Sequence, residues 1–294
     1  MLVESFLSYL RLERRYSENT IKSYETDLVE FNSFFSSQDD ALSWETIDSD
    51  LIRLWMVSMM DSGFTASSVN RKLSALRSFY KYLLKKQYVR INPTTKIRGP
   101  KKEKQIPVFI KEKDMDYLID NVDFGEDFKG RRNKMIIELF YATGIRLSEL
   151  VGLNDGDVDF VAGRIKVTGK RNKQRFIPFA EELNRSLSSY INVRNETFPG
   201  ISSTALFVNM KGERICQGSV AGLVRRSLSK VVTTKKRGPH VLRHSFATSM
   251  LNNHAELNVV KELLGHESLA ATQVYTHTTF EELKQVYKLA HPRA

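Results

Sequence analysis

INPTTKIRGPKKEKQIP, residues 91–107, is where the character of the chain changes. It holds Pro93, Pro100 and Pro107, with Gly99 among them. Proline lacks the N–H that a helix needs and clashes with the turn before it, so the stretch interrupts any helix that reaches it. It reads as an interdomain linker over residues 92–107. Its lysines are either a solvated charge run or a basic strap along a polyanion. At 294 residues the chain has room for two domains of ~100–200 residues each.

Upstream, residues 1–91 read as all-helical. In SENTIKSYETDLVEFNSFF, residues 17–35, the apolar positions Ile21, Tyr24, Leu28, Phe31 and Phe35 step by three and four, and Ser17 is placed as an N-cap. Val69, Leu73, Leu76, Tyr80 and Leu83 repeat the pattern, and segments near 2–14 and 49–61 share it. Four amphipathic helices bury one another's stripes as a small bundle.

Downstream, residues 108–294 mix types. MIIELFYATG is an apolar helix stopped by Gly144. GRIKVTGKRNKQRFIPF alternates on both sides of Lys170-Arg171-Asn172-Lys173 and reads as a β-hairpin. Helical spacing returns near 181–194, 217–230, 241–253, 256–264 and 280–289. The fold class is therefore mainly α with a small antiparallel sheet or hairpin, in two domains.

Lysine and arginine number 45 against 34 acids, a net charge of +11 that favours a polyanionic partner. A hydrophobic content of 41% supports a folded core. The one cysteine, Cys216, rules out an intrachain disulfide and multi-thiolate metal sites, and suits a reducing cytoplasm. The first fifteen residues carry charges where a signal peptide would be apolar, and no stretch approaches the ~18 uncharged residues of a membrane helix.

Four stretches bear on chemistry. ATGIRLSELVGL sets Arg146 and Glu149 three apart; on these residues alone a surface ion pair is the stronger reading, with an anion site as the alternative. The hairpin clusters Arg164, Lys166, Lys170, Arg171, Lys173 and Arg175, a basic ribbon suited to a DNA groove or simply to solvent. PHVLRHSFATSM sets His240 and His244 four apart around Arg243. A helical zinc-protease pattern needs Glu after the first histidine, and Val241 stands there, so His240 with Arg243 is better suited to a phosphate, His244 being structural. In LLGHESLAATQVYTH, His266 follows Gly265 and Tyr275 lies nine residues on.

Together TGIRLSEL, GKRNKQR, HVLRHSFAT and LLGHESLAATQVYTH, in this order, resemble the tyrosine recombinase (phage integrase) superfamily, and the closing AHPRA and the length resemble its Xer branch. The resemblance covers nearly the whole chain. It implies an N-terminal four-helix, SAM-like core-binding domain over 1–91 and a catalytic domain over 108–294, closing on DNA as a C-shaped clamp. By the same resemblance Arg146 and Arg243 clamp the scissile phosphate, Lys170 is the hairpin lysine, His240 and His266 are donors to the phosphate, Tyr275 is the nucleophile, and Glu149 buttresses Arg146. Arg171 departs from the glycine that the family often has in the hairpin turn, which bears on the turn type.

The activity so implied is site-specific recombination through a covalent 3′-phosphotyrosine, with neither cofactor nor metal, most simply in resolution of chromosome or plasmid dimers. Expected partners are double-stranded DNA with an inverted-repeat site, three further protomers (identical or paralogous) and a septal DNA translocase. Integration of a mobile element, a type IB topoisomerase-like activity and DNA binding without catalysis are the competing readings.

Overall fold

The computed structural model describes residues 1–102, 108–169, 172–200, 203–234, 236–265 and 280–294. The chain forms two compact units, Met1–Gln105 and Ile106–Ala294.

The first unit is a bundle of α1 (Leu2–Leu12), α2 (Glu18–Gln38), α3 (Ser49–Asp61) and α4 (Ala66–Lys85). Its last three helices begin where short polar side chains satisfy free N–H groups: Ser17 accepts from Thr20, Asp48 from Asp50 and Leu51, and Thr65 from Ser68. The stripes read from sequence meet inside, with Phe31 against Trp55 and Trp44 against Phe79, each at 4.7 Å between ring centres. Asp27 is buried between α2 and α4, and it accepts hydrogen bonds from Arg71 and from the buried Lys72.

Part of the stretch expected as linker belongs to this bundle. Ile97 is buried in its core, Arg77 donates to the Ile97 carbonyl at 2.6 Å, and Asn70 donates to the Pro100 carbonyl at 2.8 Å. α4 itself stops at Lys85, before the first proline, where Gln87 takes the left-handed conformation (φ 61°). One apolar residue amid the basic run was nevertheless enough to return the chain to the core.

The second unit packs α5 (Glu112–Asp120), α6 (Phe128–Thr143), α7 (Leu147–Gly152), α8 (Glu181–Thr197), α9 (Gln217–Leu228), α10 (Pro239–Asn252), α11 (Leu257–Leu264) and α12 (Phe280–Ala290) around a three-stranded antiparallel sheet. β2 (Arg164–Thr168) pairs with β3 (Gln174–Pro178) in the expected hairpin, with Ile165 opposite Ile177 and Val167 opposite Arg175. The short β1 (Val158–Asp159) adds a third strand beside β2. At the hairpin turn Asn172 takes the left-handed conformation (φ 60°), while Lys170 and Arg171 lie outside the described residues.

α12 packs on its own chain. Leu283 and Tyr287 are buried with Phe246 and Met250 of α10 and Val260 and Leu263 of α11, while Leu289 is 86% exposed. The tail beyond it is pinned, because Arg293 bonds Asp116, Asp120 and Glu182, and His291 is buried against the Tyr141 carbonyl. Burial pushes the His291 imidazole down to about 4. No helix among the described residues is long and apolar enough to cross a membrane.

Candidate active site

The site begins with a stop signal. α6 ends at Gly144, whose φ of 57° is left-handed, and whose N–H bonds the Phe140 carbonyl. A Cβ there would come within 2.6 Å of Phe246 and 2.8 Å of Leu264, so only glycine lets α6, α10 and α11 approach so closely. The reversal presents Arg146 as the N-cap of α7.

Glu149 is the centre of the cluster. It is 4% exposed, so the pair with Arg146 is not the surface ion pair that local spacing favours. Its carboxylate accepts from the Arg146 backbone N–H at 2.9 Å and from Arg146 Nη1 at 2.7 Å. Arg175, from β3, donates to both carboxylate oxygens at 2.8 and 2.9 Å, the bidentate geometry suited to a planar guanidinium. Burial alone would push this carboxyl up; the Arg175 hydrogen bonds and charge, followed by those of Arg146, reverse that and hold it at about 2.

Arg243 comes from the buried face of α10 and is 8% exposed. It donates Nη1 to the Gly144 carbonyl at 2.7 Å and Nη2 to the Leu264 carbonyl. Arg146 Nη2 donates to the Gly265 carbonyl at 2.6 Å, and Arg175 Nε to the Leu263 carbonyl at 2.7 Å. Three arginines thus each hold one carbonyl at the end of α11, where the helix dipole is negative. That partial charge and the Glu149 carboxylate offset the repulsion among the three cations. Burial, then the charges of Arg146 and Arg175, lower Arg243 to about 10, still protonated at neutral pH.

The remaining expected residues divide in two. His240 and His244 are both exposed on α10. The buried positions of that helix are Val241, Leu242, Arg243, Ser245, Phe246, Ser249 and Met250, and His244, expected to be structural, lies off this stripe and is exposed. Lys170, His266 and Tyr275 lie outside the described residues. The chain reaches His266 from Gly265, the left-handed cap of α11 (φ 63°).

The sequence reading places Arg175 among the charges of a ribbon suited to a DNA groove or to solvent. Its place in β3 carried a contrary signal. It alternates in phase with the buried Ile177, while Gln174 and Phe176 are exposed.

Known proteins resemble the chain along nearly its whole length. The Phage integrase family matches residues 108–282, and the phage integrase N-terminal SAM-like domain matches residues 3–87. The chain is 40% identical over 294 residues to a tyrosine recombinase XerC of Staphylococcus aureus, covering 99% of this chain and 96% of that protein. It is 38% identical over 301 residues to the tyrosine recombinase XerC of Pelotomaculum thermopropionicum, covering 99% and 98%. Among solved structures, the XerH site-specific recombinase bound to its palindromic difH substrate superposes with a TM-score of 0.74 at 24% identity, covering 98% of this chain and 84% of that one, and so shares the fold. The chain belongs to the phage integrase family, as a Xer-type site-specific tyrosine recombinase.

Proposed function

We propose that this protein cuts and rejoins double-stranded DNA at an inverted-repeat site, in the cytoplasm, to resolve chromosome or plasmid dimers, working as a tetramer with itself or a paralogue. The observation that carries the reading is the convergence of Arg146 and Arg243, two guanidiniums from distant segments, on one preorganised cluster beside the start of the segment that bears His266 and Tyr275. Among the described residues the cluster engages two of the five N–H groups of each arginine, so a phosphate can be cradled without dismantling it.

The reaction follows from charge. A phosphodiester repels nucleophiles, and its transition state gathers charge on the non-bridging oxygens. Fixed cations lower that barrier. In the proposed step the Tyr275 oxygen attacks phosphorus, the bond to the 5′-oxygen breaks, and the DNA 3′-phosphate stays on the tyrosine. His240, exposed and therefore accessible, takes the phenolic proton, and Lys170 supplies one to the departing 5′-oxygen. His266 adds a donor to the phosphate. A 5′-hydroxyl from the second duplex reverses the step, so bond energy is conserved and no nucleotide is consumed. The first unit, with its basic α4 and the basic stretch that follows it, holds the flanking duplex.

The test is a DNA duplex nicked next to the cleavage point, which traps the intermediate. A covalent adduct forms with wild-type protein without Mg²⁺ or ATP, and none forms with Tyr275→Phe. An adduct in Tyr275→Phe would overturn the assignment of the nucleophile. Relaxation of supercoiled plasmid lacking any specific site would favour a topoisomerase instead.

A further inference from the structure

We infer that Arg175 is a positioning residue of the cleavage reaction, fixing Glu149 so that Arg146 is aimed, and tying the lysine-bearing hairpin to the arginine clamp. The inference rests on the recombinase reading above. It differs from what the sequence suggests for this residue, a charge on a ribbon suited to a DNA groove or to solvent.

Three observations carry it. First, the Arg175 side chain is only 14% exposed and points inward on β3, in phase with Ile177. Second, it gives two hydrogen bonds to Glu149 and one to the Leu263 carbonyl, so one guanidinium joins β3 to α7 and to the end of α11. Third, the fit around it is close on two sides. A Cβ on Gly265 would lie 3.1 Å from Arg175 Nη1, and one on Gly169, at the start of the hairpin turn, would lie 3.3 Å from Glu149 Oε1. The hairpin that carries Lys170 and the residue preceding His266 are therefore both registered against the same carboxylate–guanidinium pair. Arg175 reaches the reacting phosphate only through Glu149 and Arg146.

A positioning role and a phosphate contact differ in measurable ways. Adduct formation on nicked DNA and the salt dependence of DNA binding are measured for wild type, Arg175→Met, Arg175→Lys, Glu149→Gln and the double variant Arg175→Met/Glu149→Gln, with thermal melts to confirm folding. Arg175→Met is expected to slow adduct formation by ~10²-fold, the usual effect of misplacing a catalytic group by about an ångström. The slope of log binding constant against log salt is expected to stay as in wild type. Arg175→Lys, which still meets one carboxylate oxygen, regains about a tenth of the rate if each oxygen contributes equally. In the Glu149→Gln background, Arg175→Met adds less than about threefold, because the two act in series.

A salt slope shallower by ~0.9 in Arg175→Met would mark a direct phosphate contact and overturn the proposal. Multiplying effects in the double variant would also overturn it. Absence of adduct with wild-type protein would sink the recombinase reading itself. The proposal is then decided by NMR titration of the Glu149 carboxyl, which faces Arg146, Arg175 and Arg243. The carboxyl titrates higher in Arg175→Met if the guanidinium holds it, and an unchanged titration overturns the proposal in either case.

Discussion

Replacing Glu149 by glutamine keeps the shape of the side chain and removes its charge, leaving Arg146 and Arg175 facing each other across a neutral amide. The structure sets the size of the effect in two ways. The carboxyl sits at about 2 instead of the ordinary 4.5, and with 4% exposure little solvent screening applies. At 1.36 kcal/mol per pH unit, that depression corresponds to roughly 3 kcal/mol. Independently, removing one partner of a buried ion pair costs about 3–5 kcal/mol. Because the folded pKa is depressed, the stabilisation is fully present above about pH 4.5 and is lost as pH falls through about 2. Glu149→Gln should therefore destabilise the second unit by ~3 kcal/mol at pH 7, and by only ~1 kcal/mol at pH 3. The assay is urea unfolding read by hydrogen exchange in peptides from α6 and α7. Both tryptophans, Trp44 and Trp55, lie in the first unit, so tryptophan fluorescence provides an internal control that should not move. A gap that stays constant from pH 7 to pH 3 would refute the assignment of this stability to the ionised carboxylate.

Gly144→Ala combines a left-handed alanine with a collision against Phe246 and Leu264, and should destabilise the second unit by about 2–5 kcal/mol in the same unfolding assay. His240→Ala should slow adduct formation by ~10²-fold or more while leaving DNA affinity within about twofold. His244→Ala, exposed on α10, should leave stability within ~0.5 kcal/mol of wild type by thermal melt. Arg293→Ala removes a partly solvated network with Asp116, Asp120 and Glu182, so hydrogen exchange in 283–294 should quicken by about fivefold at low salt and by less at 1 M salt.

What the sequence revealed was mostly what repeats locally. The stripes of α2 and α4, the Ser17 cap, the Gly144 stop and the β2–β3 hairpin each depend on spacing within a turn or two, and each appears in the structure. Ile97 did not stand out, because a single apolar residue between prolines has no period; its burial comes from α4, about twenty residues upstream. Local spacing misses the burial of Glu149 for a related reason, although the resemblance implies that it buttresses Arg146. Three residues from an arginine on a helix it looks solvated, and its burial is imposed by β3 and α11, far along the chain. The resemblance of ordered motifs supplied what spacing could not, the pairing of Arg146 with Arg243. Arg175 escaped both routes: its motif suggested a ribbon charge, and only its phase with Ile177 pointed inward.

The bonds that shape the arginine clamp also span the chain. Arg243 reaches Gly144 across 99 positions, Arg175 reaches Leu263 across 88, and Arg146 reaches Gly265 across 119. The last two need the end of α11, and the first needs α10, which packs on it; all are made late in synthesis. A nascent chain still short of residue 263 already has the whole first unit, but its three arginines lack the Leu263, Leu264 and Gly265 carbonyls that help to orient them. On the proposed function, competence to hold DNA would thus precede competence to break it. On that same function, fragments from stalled ribosomes or proteolysis within the second unit would be left as binders that do not leave nicks behind.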